Sequence, residues 1–459
     1  MNGMEIKIKK ILEKSNSEFA EIHIENKKVT SFSLSNSQIE QLETKEVLRG
    51  NIRVLKNGQW GFVSFNDISL LETYIKMAEE QANTISLYIK EKRKVLPFKP
   101  VKAHYRTEFK INPLDVSLEE KYGLAMKYDS ILKKHKRLQN RKIFYADREE
   151  KLYYGNTEGS LITQDKIFTG ILIYAVAKDG NNIQTASESF GGYKGYEVVK
   201  DLDEVVDNIG KIAEDMLDAK QIEGGYYTVV LDQKLAGVFA HEAFGHLSEA
   251  DFIYENERLK NIMQIGRRFG TDDLNIIDEG FIQGEAGFIF IDDEGVIPQK
   301  TYLIKNGILN SRLHSRETAY KMKEELTGNA RAIDAFHQPI VRMTNTYIDK
   351  GKYSFEEMIN SVDDGIYAVD YRGGQTNLEM FTFSAARAYR IKNGKIQETL
   401  KNVVLTGNVF ETLKNIEMIG NDLKLFGGLG GCGKAGQSPL PVSTGAPHIK
   451  IKNVLIGGI

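Results

Sequence analysis

The sequence has a single cysteine, Cys432, only 8 prolines and one tryptophan among 459 residues. One cysteine excludes an internal disulfide framework and is typical of a protein in a reducing compartment. Lysine and arginine number 61, aspartate and glutamate 63, and the net charge is −2. The basic excess of a general nucleic-acid binder is therefore missing. The basic run 133–137 has no interleaved aromatic residues to stack on bases, so nucleic acid is not expected as a partner.

Long apolar runs are also missing. No run reaches the length of a membrane span, and the first ten residues alternate charge with isoleucine where a secretion signal would be apolar. These absences predict a cytoplasmic protein with no membrane partner. With 41% hydrophobic and 27% charged residues, the chain has enough core for two or three domains.

The first half of the chain contains a repeated pattern. Its first copy predicts, in order, strands, a turn at Asn57-Gly58, another strand and a helix, at 20–25, 31–34, 39–44, 49–56, 60–65 and 69–82. The second copy predicts strands, a turn at Asp179-Gly180 and a helix, at 142–147, 151–154, 160–165, 170–178 and 201–218. We therefore predict an α+β fold with a duplicated strand-strand-strand-strand-helix N-terminal half, in units 1–100 and 101–222. The charged segment 85–106 is the expected linker between the two copies.

The second half has a different character. An apolar strand at 226–231 leads into a helix, and after Gly280 the sequence is rich in strands and hairpin turns. This predicts a mostly antiparallel β domain at 223–459 that carries the helix. The acidic residues 292–294 are typical of a hairpin turn, because the ligand spacing of a calcium loop is missing.

The helix contains the sequence His241-Glu242-Ala243-Phe244-Gly245-His246. Two imidazoles, the thiolate of Cys432 and an adjacent carboxylate are what a catalytic zinc site needs. Residues five apart lie about 140° apart around a regular helix, so one ion could not take both rings. We predict an irregular helix, either widened by a π-type bulge or unwound, with Gly245 tolerating the distortion. The alternative is a regular amphipathic helix, 234–247, with two histidines on its flanks.

The glycine-rich tract 428–435 surrounds Cys432. It is one residue short of a phosphate-binding loop, because Ala435 stands where that loop requires serine or threonine. The residues that follow, 436–441, include two prolines and do not easily begin a helix. Close approach of the backbone to a metal explains the glycines better, and Lys434 would favour the thiolate form of Cys432. A nucleotide-binding module and a buried inert cysteine remain alternatives.

Several stretches of the second half together resemble a known family. They are 241–246 continuing to Glu249-Ala250-Asp251, then 292–295, 342–346, 373–375, 420–423 and 432–437, in this order. The chain resembles the TldD/PmbA metallopeptidase family, specifically its TldD-like, metal-binding branch.

The resemblance implies a zinc peptidase in which His241, His246 and Cys432 hold Zn²⁺ and Glu242 is the catalytic carboxylate. Members of the family act as two-subunit particles that enclose the active site and admit unfolded peptides or flexible protein segments. Some pair with a TldE-like subunit that lacks the metal motif, and others self-associate. The expected partners are therefore a polypeptide substrate and a second subunit, in a homodimer or a heterodimer.

Further residues are candidates for supporting roles. Glu249 and Asp251 could orient a ligating imidazole, or could serve as cap or surface residues. Contact with the ligands or the substrate, or a purely structural role, is open for His314, Arg342 and Asn345. A non-catalytic protein in which zinc only stabilises a scaffold or regulatory subunit is the alternative to the peptidase.

Overall fold

The structure is a computed structural model and describes residues 3–377 and 379–457, so the outermost residues of the first and last predicted units, 1–2 and 458–459, lie outside it. Its first half contains two similar units. The first comprises α1 (Gly3–Leu12), β1 (Phe19–Ser35), β2 (Gln38–Lys56), β3 (Gln59–Phe65) and α2 (Leu71–Tyr88). The second comprises β4 (Lys102–Arg106), α3 (Leu118–Leu132), β5 (Leu138–Asn156), β6 (Leu161–Asp179), β7 (Asn182–Gly192) and α4 (Asp203–Asp215). The domain limits proposed above stay predictions.

The strands of both units are longer and fewer than predicted. Each predicted pair of short strands is one continuous strand, so β1 covers 20–25 and 31–34, and β5 covers 142–147 and 151–154. The polar residues between the predicted pairs do not interrupt pairing, because β1 is bonded to β2 on one side and to β5 on the other along almost its whole length. β4 was not predicted and lies inside the expected linker.

The two units share one sheet. Its strand order is β3-β2-β1-β5-β6-β4, with β7 also paired to β6, and the antiparallel contact of β1 with β5 joins the units. Each unit has an apolar core under its helices. Ile8, Ile22 and Leu71 belong to the first core, and Tyr128, Ile173 and Val206 to the second.

The second half is rich in strands, as predicted. Its elements are β8 (Lys220–Gln221), β9 (Gly225–Leu231), α5 (Gln233–Ala240), α6 (Ala250–Glu255), α7 (Glu257–Ile262), β10 (Ile276–Glu279), β11 (Lys300–Lys305), β12 (Ile308–Leu309), α8 (Arg316–Met322), β13 (Ala330–Arg331), β14 (Ile340–Val341), β15 (Asn345–Ile348), α9 (Phe355–Asn360), β16 (Asp364–Asn377), β17 (Met380–Lys392), β18 (Lys395–Lys401), β19 (Val404–Asn408), α10 (Val409–Lys414), β20 (Ile416–Ile419), β21 (Lys424–Phe426), β22 (Cys432–Lys434), β23 (Gln437–Leu440), β24 (Ser443–Ala446) and β25 (Ile449–Gly457).

These strands form two larger sheets that are mostly antiparallel. One has the order β16-β9-β25-β19-β17-β18-β8, with β20 paired to β25, and the other has the order β12-β11-β10-β15-β24-β21. Three pairs are parallel: β9 with β16, β15 with β24, and β8 with β18. The α+β class with a mostly antiparallel C-terminal region is confirmed.

The helix α5 packs against strands of both sheets. Its Phe239 ring makes edge contacts with Phe381 and Phe383 on β17. On β24, the backbone of Gly445 comes so close that a methyl group on Gly237 would lie 2.6 Å from its nitrogen. These contacts fix the position of α5 and therefore the position of His241, which follows its last residue.

The acidic residues 292–294 form a turn, but the prediction of a hairpin is wrong. The turn lies in a loop between β10 and β11, without paired strands of its own. The carboxylate of Asp292 shapes it by accepting the N–H groups of Glu294 at 3.0 Å and Val296 at 2.9 Å. None of the helices in the described ranges combines the length and the apolar character that crossing a membrane requires.

Candidate metal centre

The two histidines lie where α5 changes from a regular to a wider helix. Asp232 begins α5 by accepting the N–H of Leu235 at 2.8 Å. After Ala240 the chain continues as a π-helical turn, His241–Gly245, closed by a hydrogen bond from the N–H of His246 to the carbonyl of His241. The extra residue per turn brings both rings to the same side, with centroids 5.2 Å apart and planes at 80°. The predicted irregular helix is confirmed as a π-type widening.

Gly245 is needed there for a different reason than predicted. Its backbone angles, φ −57° and ψ −54°, are those of an ordinary right-handed helix, so the π turn does not depend on glycine's conformational freedom. A Cβ at this position would lie 2.1 Å from the sulfur of Met343. Glycine therefore lets the helix approach the strand region around Met343 closely.

A hairpin brings Cys432 to the histidines. The strands β22 and β23 pair Cys432 with Leu440, and the Cys432 Sγ lies 3.3 Å from Nε2 of His246. One potential ligand atom from each of His241, His246 and Cys432 lies within 4.8 Å of the others. The structure thus brings together three residues that are 5 and 186 positions apart in the sequence.

The Arg342 side chain forms hydrogen bonds to both strands of this hairpin. It is fully buried, and its guanidinium donates to the carbonyl of Cys432 at 2.8 Å and to that of Gln437 at 3.2 Å. These two acceptors lie on the two strands of the hairpin. Arg342 therefore supports the position of the cysteine without contacting its sulfur.

His246 is oriented by a buried chain of charges. Its Nδ1 lies 3.0 Å from a carboxylate oxygen of Glu249, which leaves Nε2 directed at Cys432. The Lys434 ammonium lies 3.1 Å from the same oxygen of Glu249 and donates to Asp251 at 2.7 Å and to the carbonyl of Val341 at 2.8 Å. The predicted orienting role is thus supported for Glu249. Lys434 contacts these carboxylates, whereas the sequence suggested an action on the thiol.

Burial and neighbouring charges set the titration of these groups. Burial lowers the pKa of His241 well below its usual value, and the charges of His246 and Arg342 add to this effect. Burial opposes the charge of His246, but its hydrogen bonds to Cys432 and Glu249 prevail and raise its pKa to about 10. Burial likewise opposes the charge of Glu249, yet Lys434 and His246 hold the pKa of that carboxyl below its usual value.

Glu242 lies on the π turn between the two histidines. Burial raises its pKa, and its carboxylate has no hydrogen-bond partner among the described residues. Tyr371, on β16, was not singled out in the sequence. Burial and the charge of Glu242 together raise the pKa of Tyr371, so the phenol stays protonated near this carboxylate.

The other candidates from the sequence are structural. His314 is buried and bonds with Thr318 at 3.1 Å and Glu324 at 2.9 Å. Asn345 donates to the carbonyl of Glu279 at 2.7 Å and accepts the N–H of Gly287 at 3.1 Å. The tract around Cys432 folds into a hairpin and begins no helix, which removes the basis of the nucleotide-binding alternative.

The residues present fit a zinc ion. Thiolate sulfur and imidazole nitrogen bind zinc in preference to magnesium or manganese. The Nδ1 atom of His241 is buried without a hydrogen-bond partner in the described part of the chain. Metal binding by this ring would account for the unpaired nitrogen. Three protein ligands would leave a fourth position open, which is the pattern of catalytic sites. Fold and site together therefore define a candidate metallohydrolase.

Comparison with known proteins places the chain in a family. Three sequence models match in succession: "PmbA/TldA metallopeptidase domain 1" over residues 20–82, "central domain" over 111–220 and "C-terminal domain" over 224–458. Metalloprotease slr0863 of Synechocystis sp. is 39% identical over 97% of this chain and 96% of its own length. The "Zinc metalloprotease TldD homolog" of Saccharolobus solfataricus is 31% identical over 89% of both chains. The chain belongs to the PmbA/TldD metallopeptidase family.

Solved structures of low sequence identity share the fold. A protein of Thermotoga maritima described as a modulator of a DNA gyrase superposes with a TM-score of 0.81 at 21% identity, over 99% of both chains. TldE from Thermococcus kodakarensis superposes with a TM-score of 0.78 at 19% identity, over the whole of both chains.

Proposed function

We propose that this chain is a zinc-dependent peptidase that hydrolyses peptide bonds in unfolded peptides or flexible protein segments inside a dimeric particle. The observation that carries the proposal is the convergence of His241, His246 and Cys432 within 4.8 Å, with Glu242 on the same π turn. The names of its relatives, metalloprotease and zinc metalloprotease, support the same activity.

In this proposal, His241, His246 and Cys432 hold the zinc ion. When bound, zinc polarises a carbonyl oxygen and lowers the pKa of a coordinated water towards about 7. Glu242 acts as the general base: a carboxylate oxygen takes a proton from the attacking water as the new C–O bond forms. It then passes that proton to the leaving amine nitrogen as the C–N bond breaks.

Glu249 and Lys434 would position the centre. Glu249 fixes the tautomer of His246 by accepting a hydrogen bond from its Nδ1–H, so that the lone pair of Nε2 faces the metal. Lys434 keeps Glu249 ionised in a buried environment. Neither residue needs to touch the substrate for this role.

The test is hydrolysis of a quenched fluorescent unfolded peptide by wild type and Glu242→Gln, with zinc content measured on the same samples. Loss of a general base costs about 10²–10⁴-fold in rate, so cleavage should fall by at least about 100-fold while zinc stays at about one per chain. Glu257→Gln is the matched control, because this side chain is 82% exposed and lies on α7, outside the centre. Undiminished cleavage by Glu242→Gln would overturn the assignment.

A zinc-stabilised scaffold or regulatory subunit is the second candidate. Cys432 belongs to the largest apolar core of the C-terminal region, so a metal there would join α5 to the hairpin inside a structural core. In this case removal of zinc would unfold the region, and Glu242→Gln would leave the protein's function unchanged.

The subunit partner is part of the proposal. Similarity to the fold of TldE supports pairing with a TldE-like subunit, and self-association is the other possibility. The mass of the purified chain in solution, alone and mixed with such a subunit, distinguishes a homodimer from a heterodimer. A cytoplasmic location and the absence of a nucleic-acid partner stay predictions.

A further inference from the structure

A cavity of about 330 Å³ lies between the N-terminal sheet and the C-terminal region. Small-molecule sites usually span about 300–1,000 Å³, so its size suits a small ligand. Sheet residues of β1, β5 and β6 form one wall, and residues from the segments 289–293, 331–334, 428–430 and 439–441 form the other. The side chains of Lys27 and Asp293 at its edge keep 21% and 27% of their surface exposed, so the cavity is open to solvent.

The sheet wall is charged where apolar packing would be expected. Lys27, Glu150 and Lys166 stand opposite one another on β1, β5 and β6, and all three line the cavity. Glu25 and Arg148 lie two residues away on the same face. Burying charge is costly unless each group finds a partner, so the unsatisfied groups on this wall are informative.

Two charged groups on the sheet wall could form further hydrogen bonds. Glu25 is 2% exposed; one of its oxygens is bonded to Lys27 at 2.8 Å, and the other, Oε1, has no hydrogen-bond partner among the described residues. Lys166 is 5% exposed, and its ammonium lies 3.8 Å from both Glu150 and the centroid of the Tyr193 ring. Within the described ranges it makes no hydrogen bond.

The opposite wall repeats this combination of charges. Arg331 is buried and donates to the carbonyls of Met343 and Pro441, and no carboxylate of the described residues pairs with it. Burial accordingly lowers its pKa. Asp293 accepts the N–H of Ala332 with one oxygen, while the other lies 3.8 Å from the His23 ring.

We propose that this cavity binds a small zwitterion, an α-amino acid or dipeptide, with its carboxylate at Lys166 and Arg331 and its ammonium at Glu25 and Asp293. A simple anion would use the two cations but would leave the unpaired oxygen of Glu25 without a donor. A simple cation would face Lys166 and Arg331. Only a ligand with both charges satisfies both sets of groups.

The position of the cavity connects it to the proposed function. Leu440 lines the cavity and is paired with Cys432 in the β22–β23 hairpin, and Arg331 holds the carbonyl of the adjacent Pro441. Peptide hydrolysis releases a new ammonium and a new carboxylate, so its shortest products are zwitterions of this kind. Only the origin of the ligand rests on the proposed function; binding itself does not.

The test is calorimetric titration with diglycine, N-acetyldiglycine, diglycinamide and inorganic phosphate. It is performed on metal-free protein and on zinc-saturated Glu242→Gln protein, since diglycine could also reach the zinc. Diglycine should bind to both forms with the same affinity, and blocking either terminus should weaken binding about tenfold or more. A protein that binds diglycine but lacks zinc and peptidase activity would contradict the proposed function alone.

Variants test the assigned residues. Lys166→Met and Glu25→Gln should each raise the dissociation constant of diglycine about tenfold or more. Matched controls are Lys28→Met on β1 and Glu149→Gln on β5, in the same sheet but outside the cavity, which should leave the dissociation constant unchanged. If a buried variant fails to fold, the comparison of blocked ligands on the unaltered sequence still decides. Equal binding of diglycine and N-acetyldiglycine, tight phosphate binding, no binding of diglycine at millimolar concentration, or unchanged affinity in both folded variants would overturn the proposal.

Discussion

Replacing Lys434 with methionine should weaken both the fold and the metal centre. The Lys434 side chain is 5% exposed and its partner Glu249 is fully buried, so the variant removes the lysine from a buried carboxylate that keeps its bond to His246. Breaking a buried ion pair in this way costs about 3–5 kcal/mol in the free energy of unfolding. The pair with Asp251 adds less, because that carboxylate is 28% exposed. Because Glu249 orients His246, zinc affinity should also fall by about 10–100-fold.

The same variant has a predicted pH dependence. In the folded protein the pKa of Glu249 is held below its usual value, chiefly by Lys434 against the effect of burial. A carboxyl of this kind stabilises the fold above its unfolded pKa, and the contribution is lost as the pH falls through the folded pKa. The difference in stability between wild type and Lys434→Met should therefore be largest at neutral pH and shrink in acid.

Urea denaturation of metal-free protein and zinc titration against a competing chelator measure the two effects. Lys452→Met is the control, because Lys452 forms an exposed pair with Glu417 at 3.4 Å and should change stability by at most about 1 kcal/mol. If Lys434→Met unfolds within about 1 kcal/mol of wild type and binds zinc equally well, the buried charge chain does not support the centre.

Three further predictions concern neighbouring residues. Gly245→Ala should lower the free energy of unfolding by about 1–3 kcal/mol, because the new Cβ would meet the sulfur of Met343 at 2.1 Å. Thermal denaturation measures this loss, and the loss caused by Gly245→Ala should be smaller when it is measured in a Met343→Ala background. The stability of metal-free protein should fall as the pH rises from neutrality towards about 10, because the folded state raises the pKa of His246 to about 10 and thus binds a proton that the unfolded chain has released. Urea titrations at several pH values should show this slope without zinc, and a flat profile would contradict the assigned pKa. Arg342→Lys should weaken zinc binding about tenfold, since Arg342 holds the carbonyl of Cys432; chelator competition tests it, and unchanged affinity would show that the hairpin keeps its position alone.

The sequence predicted the centre better than its surroundings. The spacing of five between His241 and His246 is incompatible with a regular helix around one ion, so a distortion followed from helix geometry alone. The approach of Cys432, 186 positions away, depends on a hairpin held by Arg342, and no local pattern encodes such a contact. Cys432 was grouped with the histidines on the chemistry of its thiolate, and the resemblance to a family implied the same three ligands. The role of Gly245 was misjudged because close packing against Met343 cannot be read from neighbouring residues.

The long strands of the first half show a second limit. Charged residues such as Glu25 and Lys27 interrupt the apolar alternation of β1, and the predicted strands 20–25 and 31–34 leave out residues 26–30 between them. In the fold, strands on both sides satisfy the backbone of β1, and these charges line a cavity. Alternation predicts a strand only where its face meets an apolar partner. Where the face is charged and buried, tertiary contacts decide whether the strand continues.

X-ray absorption at the zinc edge is the most direct test of the central claim. Zinc-loaded wild type should show one sulfur neighbour at about 2.3 Å and nitrogen or oxygen neighbours at about 2.0–2.1 Å. The sulfur signal should vanish in Cys432→Ala and persist in Glu242→Gln, because Glu242 is the proposed base and not a ligand. A zinc environment without sulfur in wild type, or one that Cys432→Ala leaves unchanged, would contradict the centre formed by His241, His246 and Cys432.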